Sequence, residues 1–137
     1  MTHYVLDACA LIALLHNETG SDKVTIVFNN AFMGKVTITM NILNLLEVYY
    51  DAYRLYGKEQ ANLLLTELKK RPIFIEREIT DEVFREAGRL KACYKISLAD
   101  SIALAEALVS GGLLLTADHH EFDTVEKIEN IRFLWIR

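Results

Sequence analysis

Short apolar runs alternate along this chain with longer stretches whose hydrophobic positions recur at helical spacing. The runs at 3–6, 36–39, 73–75, 113–116 and 131–136 are brief and rich in aliphatic or β-branched residues, which suits buried strands. Helices are expected over 8–15, 21–33, 40–56, 58–70, 80–94 and 97–110, with a shorter one over 121–127. Their ends carry the usual signals. Ser21-Asp22 and Thr80-Asp81-Glu82 read as capped starts, Ser97-Leu98-Ala99-Asp100 reads as a capping box, and Gly34, Gly57 and Gly111-Gly112 read as stops. Strands alternating with helices predict a compact α/β/α sandwich around a mainly parallel sheet. With no repeat, low-complexity tract or linker, residues 1–137 are expected to form one domain.

Composition narrows the class. A chain of 137 residues with 52% hydrophobic and 25% charged residues is long and apolar enough to bury a core, and it excludes a disordered chain. One Pro and six Gly leave little room for long loops. Fifteen Lys and Arg against nineteen Asp and Glu give a net charge of −4. That excludes holding nucleic acid by bulk positive charge, though not reaching it through metal ions. Two cysteines, Cys9 and Cys93, sit among apolar or helix-forming neighbours and are expected to be free thiols in a reducing compartment. No apolar run reaches the length of a membrane span, and Met1-Thr2-His3-Tyr4 carries no basic signal region, so a cytoplasmic protein is expected.

The acids then stand out by position. In open α/β sheets, sites form beyond the carboxyl ends of the strands. Asp7 follows the first strand directly, and Asp118 follows the 113–116 strand by one residue, so both should look out on the same sheet edge. Asp100 lies in the first turn of its helix and can reach that edge, whereas nothing local fixes where Glu47 points. If the four converge, their repulsion requires a positive partner. Oxygen ligands without a Cys/His cluster suit Mg²⁺ or Mn²⁺ better than Zn²⁺, and a metal so held serves phosphate-ester hydrolysis. Setting the four acids aside leaves 15 charges of each sign. Each acid also has a plain structural reading. Asp7 can cap a helix, Asp100 can complete the capping box, and Glu47 can share a solvated stripe with Asn44, Asp51 and Arg54. Asp118 can belong to a polar loop with His119, His120, Glu121 and Asp123.

The set and its order resemble a known family. Val5-Leu6-Asp7-Ala8-Cys9-Ala10, Asn44-Leu45-Leu46-Glu47-Val48, Ser97-Leu98-Ala99-Asp100-Ser101 and Leu115-Thr116-Ala117-Asp118 are similar, in sequence order and across essentially the whole chain, to the motifs of PIN-domain proteins. The chain's size is like that of VapC-type toxins of toxin–antitoxin pairs. The resemblance implies a metal-dependent endoribonuclease acting on RNA. Asp7, Glu47, Asp100 and Asp118 would be catalytic and would ligate Mg²⁺ or Mn²⁺, with Thr116 supporting them by hydrogen bonding. It also implies a homodimer silenced by a cognate antitoxin protein. Where the family often carries Ser or Thr, two residues past the first Asp, this chain has Cys9, a weaker hydrogen-bond partner. Glu121 and Asp123 are outer candidates for the same site.

The remaining features have mainly structural explanations. His119-His120 are expected in a solvent-facing loop. Lys69-Lys70-Arg71 and the group Arg85, Arg89, Lys91 and Lys95 are either phosphate contacts or solvated helix charges. Tyr49, Tyr50, Tyr53 and Tyr56 read as core or as a surface for a second copy or an antitoxin. A phospho-receiver domain needs adjacent acids after the first strand, and a dehalogenase-like phosphatase needs Asp-x-Asp there; Asp7-Ala8-Cys9 supplies neither. No Gly-x-Gly-x-x-Gly run is present for a dinucleotide. The surviving alternative to a nuclease is a catalytically silent PIN-like binding or assembly module.

Overall fold

The computed structural model describes residues 1–137. Five strands, β1 (Thr2–Leu6), β2 (Val36–Asn41), β3 (Phe74–Glu76), β4 (Leu113–Thr116) and β5 (Arg132–Trp135), alternate with seven helices. The helices are α1 (Ala8–Leu15), α2 (Ser21–Phe32), α3 (Ile42–Tyr56), α4 (Lys58–Leu68), α5 (Asp81–Cys93), α6 (Leu98–Ser110) and α7 (His119–Ile128). The strands form one sheet in the order β3-β2-β1-β4-β5, and all four pairings are parallel.

Alternation along the strands divides the interior into two cores. Leu6, Ile38, Met40 and Leu115 pack with α1, α2 and the buried faces of α3 and α4. Val5 and Leu114, one residue out of phase, pack on the other side with α5, α6 and α7. A sheet buried on both faces is what the continuous apolar strands predicted, and the α/β/α sandwich is the observed architecture. Because β1 pairs with β2 on one flank and β4 on the other, the chain leaves β1 at the point where the strand order reverses. A crevice opens at such a point.

Several boundaries differ from expectation for identifiable reasons. The second strand runs on to Asn41, whose side chain at once accepts the Leu43 N–H at 2.9 Å and starts α3 with no connecting loop. Asn41 Nδ2 also donates to Glu106 Oε1 at 3.0 Å, tying that corner to α6. The seventh helix begins at His119, because Asp118 caps it and accepts the Glu121 N–H at 3.2 Å; the pair His119-His120 is therefore helical. The expected Ser21 cap is absent. Gly20 holds that position without a side-chain cap, and the Ser21 hydroxyl donates to Asn17 Oδ1 at 3.1 Å.

Gly20 is there for two physical reasons. Its φ is +97°, and a Cβ at that position would stand 2.5 Å from the carbonyl oxygen of Ile136. Gly34 is also left-handed, at φ +75°, but faces open space. Gly20→Ala is therefore expected to cost about 2–4 kcal/mol, combining left-handed strain with overpacking, against about 1–2 kcal/mol for Gly34→Ala. Urea denaturation of the two variants measures the difference, and equal losses would refute the close approach as its cause.

Candidate active site

The site assembles from chain ends that the fold brings to the crevice between β1 and β4. Asp7 follows β1 and caps α1, its Oδ1 accepting the Ala10 N–H at 2.8 Å, and it is almost fully buried. Thr116, the last residue of β4 and fully buried, lies across from it. The Thr116 hydroxyl hydrogen-bonds the Asp7 carboxyl and accepts the Asp118 N–H at 3.1 Å. One side chain thus fixes both acids at the sheet edge. Asp100 sits in the first turn of α6, its N–H held by Ser97 Oγ at 3.1 Å, and the Ser97 side chain also hydrogen-bonds its carboxyl. Glu47 is half-buried on the second turn of α3.

The four groups lie within reach of one another's charge pairwise: Asp7 feels Asp100 and Asp118, Glu47 feels Asp118, and Asp100 feels Asp118 and Glu47. Burial pushes the Asp7 carboxyl up to about 7, with the charges of Asp100 and Asp118 adding to the shift. Burial likewise pushes Asp100 to about 6, helped by Asp118, Glu47 and Glu121. Glu47 is raised by burial and by Asp118. No Lys or Arg offsets any of the three. The nearest compensation in kind comes from helix N-termini: Asp7 and Asp118 cap α1 and α7, and Asp100 lies in the first turn of α6.

Cys9 lies beside this cluster. Burial and the Asp7 charge push its thiol up to about 11, so it stays protonated at neutral pH, and the Ala117 N–H donates to its sulfur. Of the outer candidates, Glu121 reaches the cluster through its charge on Asp100. Asp123 instead binds His119 Nδ1 at 2.8 Å, while His119 Nε2 donates to the Arg137 carbonyl at 2.8 Å and the ring stacks on Trp135 at 3.8 Å. Arg89 is engaged with Glu86 and Glu129 at 2.8 Å each, so it is a structural clamp and not a free phosphate contact.

Asn44 is the residue that sequence reasoning passed over. Read as part of a solvated stripe, it is 1% exposed, and its Nδ2 donates to the Ala99 carbonyl at 3.0 Å. That bond pins α3 to the start of α6 and sets Glu47 against Asp100. Its Oδ1 is buried without a partner. It stands in the first turn of α3, where a short polar side chain is ordinary, and its partner lies 55 residues away, so the sequence carried no signal of its burial.

The PIN domain family model matches residues 4–128, and the chain belongs to the PIN domain family. Solved structures of similar fold include DNA-bound VapBC from Salmonella typhimurium, with TM-score 0.73, 14% identity and 100% of both chains covered. VapBC-1 from nontypeable Haemophilus influenzae superposes with TM-score 0.72 at 17% identity over 98% of each chain. The sarcin–ricin loop cleaving toxin VapC20 of Mycobacterium tuberculosis does so with TM-score 0.63 at 14% identity, over 89% of this chain and 94% of that one. No curated protein matches the sequence. PIN domains generally use divalent metal ions. No three acid, His or Cys side chains here are drawn tightly enough to enclose an ion. The donor set nevertheless fits one in kind: carboxylate oxygens only, mutually repelling and without a cation.

The raised carboxyls set a pH dependence. Asp7 and Asp100 hold protons to higher pH folded than unfolded, so between about pH 4 and 7 the folded chain binds more protons and stability rises as pH falls. In EDTA, the melting temperature should therefore climb from pH 7.5 to pH 5. His119, also raised, acts in the same direction, so the comparison needs Asp7→Asn. That variant should melt higher than wild type at pH 7.5 and show a shallower pH slope. An unchanged slope would mean that Asp7 is not strained by its surroundings.

Proposed function

We propose that residues 1–137 form a single PIN domain acting as the toxin ribonuclease of a toxin–antitoxin pair, hydrolysing RNA phosphodiester bonds with Mg²⁺ or Mn²⁺. The observation that carries this reading is the convergence of Asp7, Glu47, Asp100 and Asp118 on the β1/β4 crevice with no cation among them. These four carboxylates would hold the metal. When bound, a divalent ion supplies the positive charge that acidifies water and neutralises charge developing on phosphate. The chain's own contribution is alignment. Thr116 locks Asp7 and Asp118 in one frame, Ser97 holds Asp100, and Asn44 sets the α3–α6 spacing that presents Glu47.

The VapBC complexes among the structural neighbours support a cognate antitoxin as partner. The homodimer reading is supported by apolar surface: Leu46, Tyr50, Phe84 and Leu98 are each at least half exposed. No helix is long and apolar enough to cross a membrane, and a toxin acting on cellular RNA belongs in the cytoplasm.

Incubating the chain with structured RNA in Mg²⁺, Mn²⁺ or EDTA tests the reading directly. Cleavage should require metal and fall by more than about a hundredfold in Asp7→Asn or Asp100→Asn, with both variants folded. Near-wild-type cutting by either would refute the assignment of the four acids. Thr116→Val should raise the metal concentration needed for half-maximal rate by about tenfold to a hundredfold. Calorimetry separates the silent-module alternative, since a silent module binds no divalent ion at this cluster.

A further inference from the structure

Beside the acid cluster lies a pocket of about 400 Å³, walled by Cys93, Tyr94 and Lys95 at the end of α5 and by His120, Glu121 and Thr124 of α7. This is the size range of small-ligand sites. It adjoins the acids: the Glu121 charge reaches Asp100, and the Glu121 N–H is held by Asp118. Its charged groups, Lys95 and the Glu121 carboxylate, take part in no ion pair. The cations of every ion pair in the molecule are His16, Arg54, Lys70, Arg89, His119 and Arg137, which leaves Lys95 free. Tyr94, by contrast, is fixed in advance. Its hydroxyl donates to Glu129 Oε2 at 2.6 Å, and Arg89 grips the same carboxylate at 2.8 and 3.1 Å. A wall held without a ligand loses little freedom on binding one.

We propose that this pocket recognises the base next to the scissile phosphate, with Lys95 on that nucleotide's phosphate and Glu121 accepting from the edge of guanine. The proposal rests on the ribonuclease reading above. A carboxylate only accepts, so the base it meets must donate. Guanine presents two adjacent N–H donors, at N1 and N2, that match the two carboxylate oxygens. Adenine and cytosine set an acceptor beside their amino group, and uracil flanks its one N–H with carbonyls. The rings of Tyr94 and His120 supply stacking surface for an unpaired base.

Sequencing the cut sites in a randomised single-stranded RNA library tests this. Guanine should be enriched at one position flanking the cut, and Glu121→Gln should reduce that enrichment by about fivefold or more. Lys95→Ala should lower kcat/KM by about tenfold for all sequences alike and reduce the salt dependence by about one charge. No preference at the flanking position, or one that survives Glu121→Gln, overturns the proposal. A second arm needs no turnover: the chain is titrated with guanosine or uridine monophosphate and followed by amide NMR shifts. Shifts at residues 93–95 and 120–124, with uridine binding about fivefold weaker, support the pocket. Equal affinity, or shifts elsewhere, overturns it. A chain that binds guanosine monophosphate there but cuts nothing refutes the nuclease and not the pocket. One that cuts without base preference refutes the pocket and not the nuclease.

Discussion

Carboxylates gathered at one crevice and partly buried there with no cation among them are the constraint around which this molecule is arranged. Asp7 is nearly buried, and both burial and its neighbours favour its neutral form. Left to relax, such groups would turn to solvent or take up protons. The fold prevents the first by making two of them structural. Asp7 and Asp118 cap α1 and α7, so moving either would cost a helix its start as well as a hydrogen bond. Thr116 ties the two together through a single hydroxyl. The cost of burial, with a smaller share of repulsion, is therefore carried by a rigid frame, and positive charge there would relieve both. Helix N-termini supply a partial share of that charge, and a divalent ion would supply the remainder.

The frame depends on contacts of very different sequence range, and this decides what could be read in advance. Strand ends are local signals. Leu6-Asp7 and Thr116-Ala117-Asp118 announce an acid at a carboxyl edge as soon as the apolar runs are recognised as strands, and the parallel order follows from the alternation with helices. Asp100 is similarly local, because Ser97 marks the first turn of its helix. Glu47 is different. Its direction is settled by the packing of α3 on α6 and by the Asn44 bond to the Ala99 carbonyl, which spans 55 residues. The same stripe carries Asp51 and Arg54, which do pair on the surface at 2.6 Å, so its solvated end masked its buried one. Gly20 was illegible for a related reason: the backbone that forbids a Cβ there belongs to Ile136, at the far end of the chain.

Cations are distributed with the same logic. Arg89 could be read as a phosphate contact from charge alone, yet it joins Glu86 on its own helix to Glu129 beyond α7. Tyr94 donates to that same carboxylate, and the combined pull holds Glu129 below the usual carboxylate range. This network closes α5 onto the segment between α7 and β5. Its cost is one arginine withdrawn from any role in binding; its effect is a stiff wall beside the acids, with Lys95 left free at the rim.

Cys9 shows how narrow the chemistry beside Asp7 is. A hydroxyl at that position would donate a stronger hydrogen bond, and a thiol that ionised would add a fifth negative charge to a cluster already short of positive charge. The thiol avoids the second outcome because burial and Asp7 hold its pKa near 11, so it remains a neutral donor throughout the range in which the acids ionise. The Ala117 N–H on its sulfur lowers that value only in part. Alignment of Asp7 therefore falls mainly to Thr116 and to the Ala10 N–H, both stronger partners than sulfur. The substitution is tolerable because Thr116 at the sheet edge and the Ala10 N–H, and not the side chain at position 9, carry the positioning of Asp7.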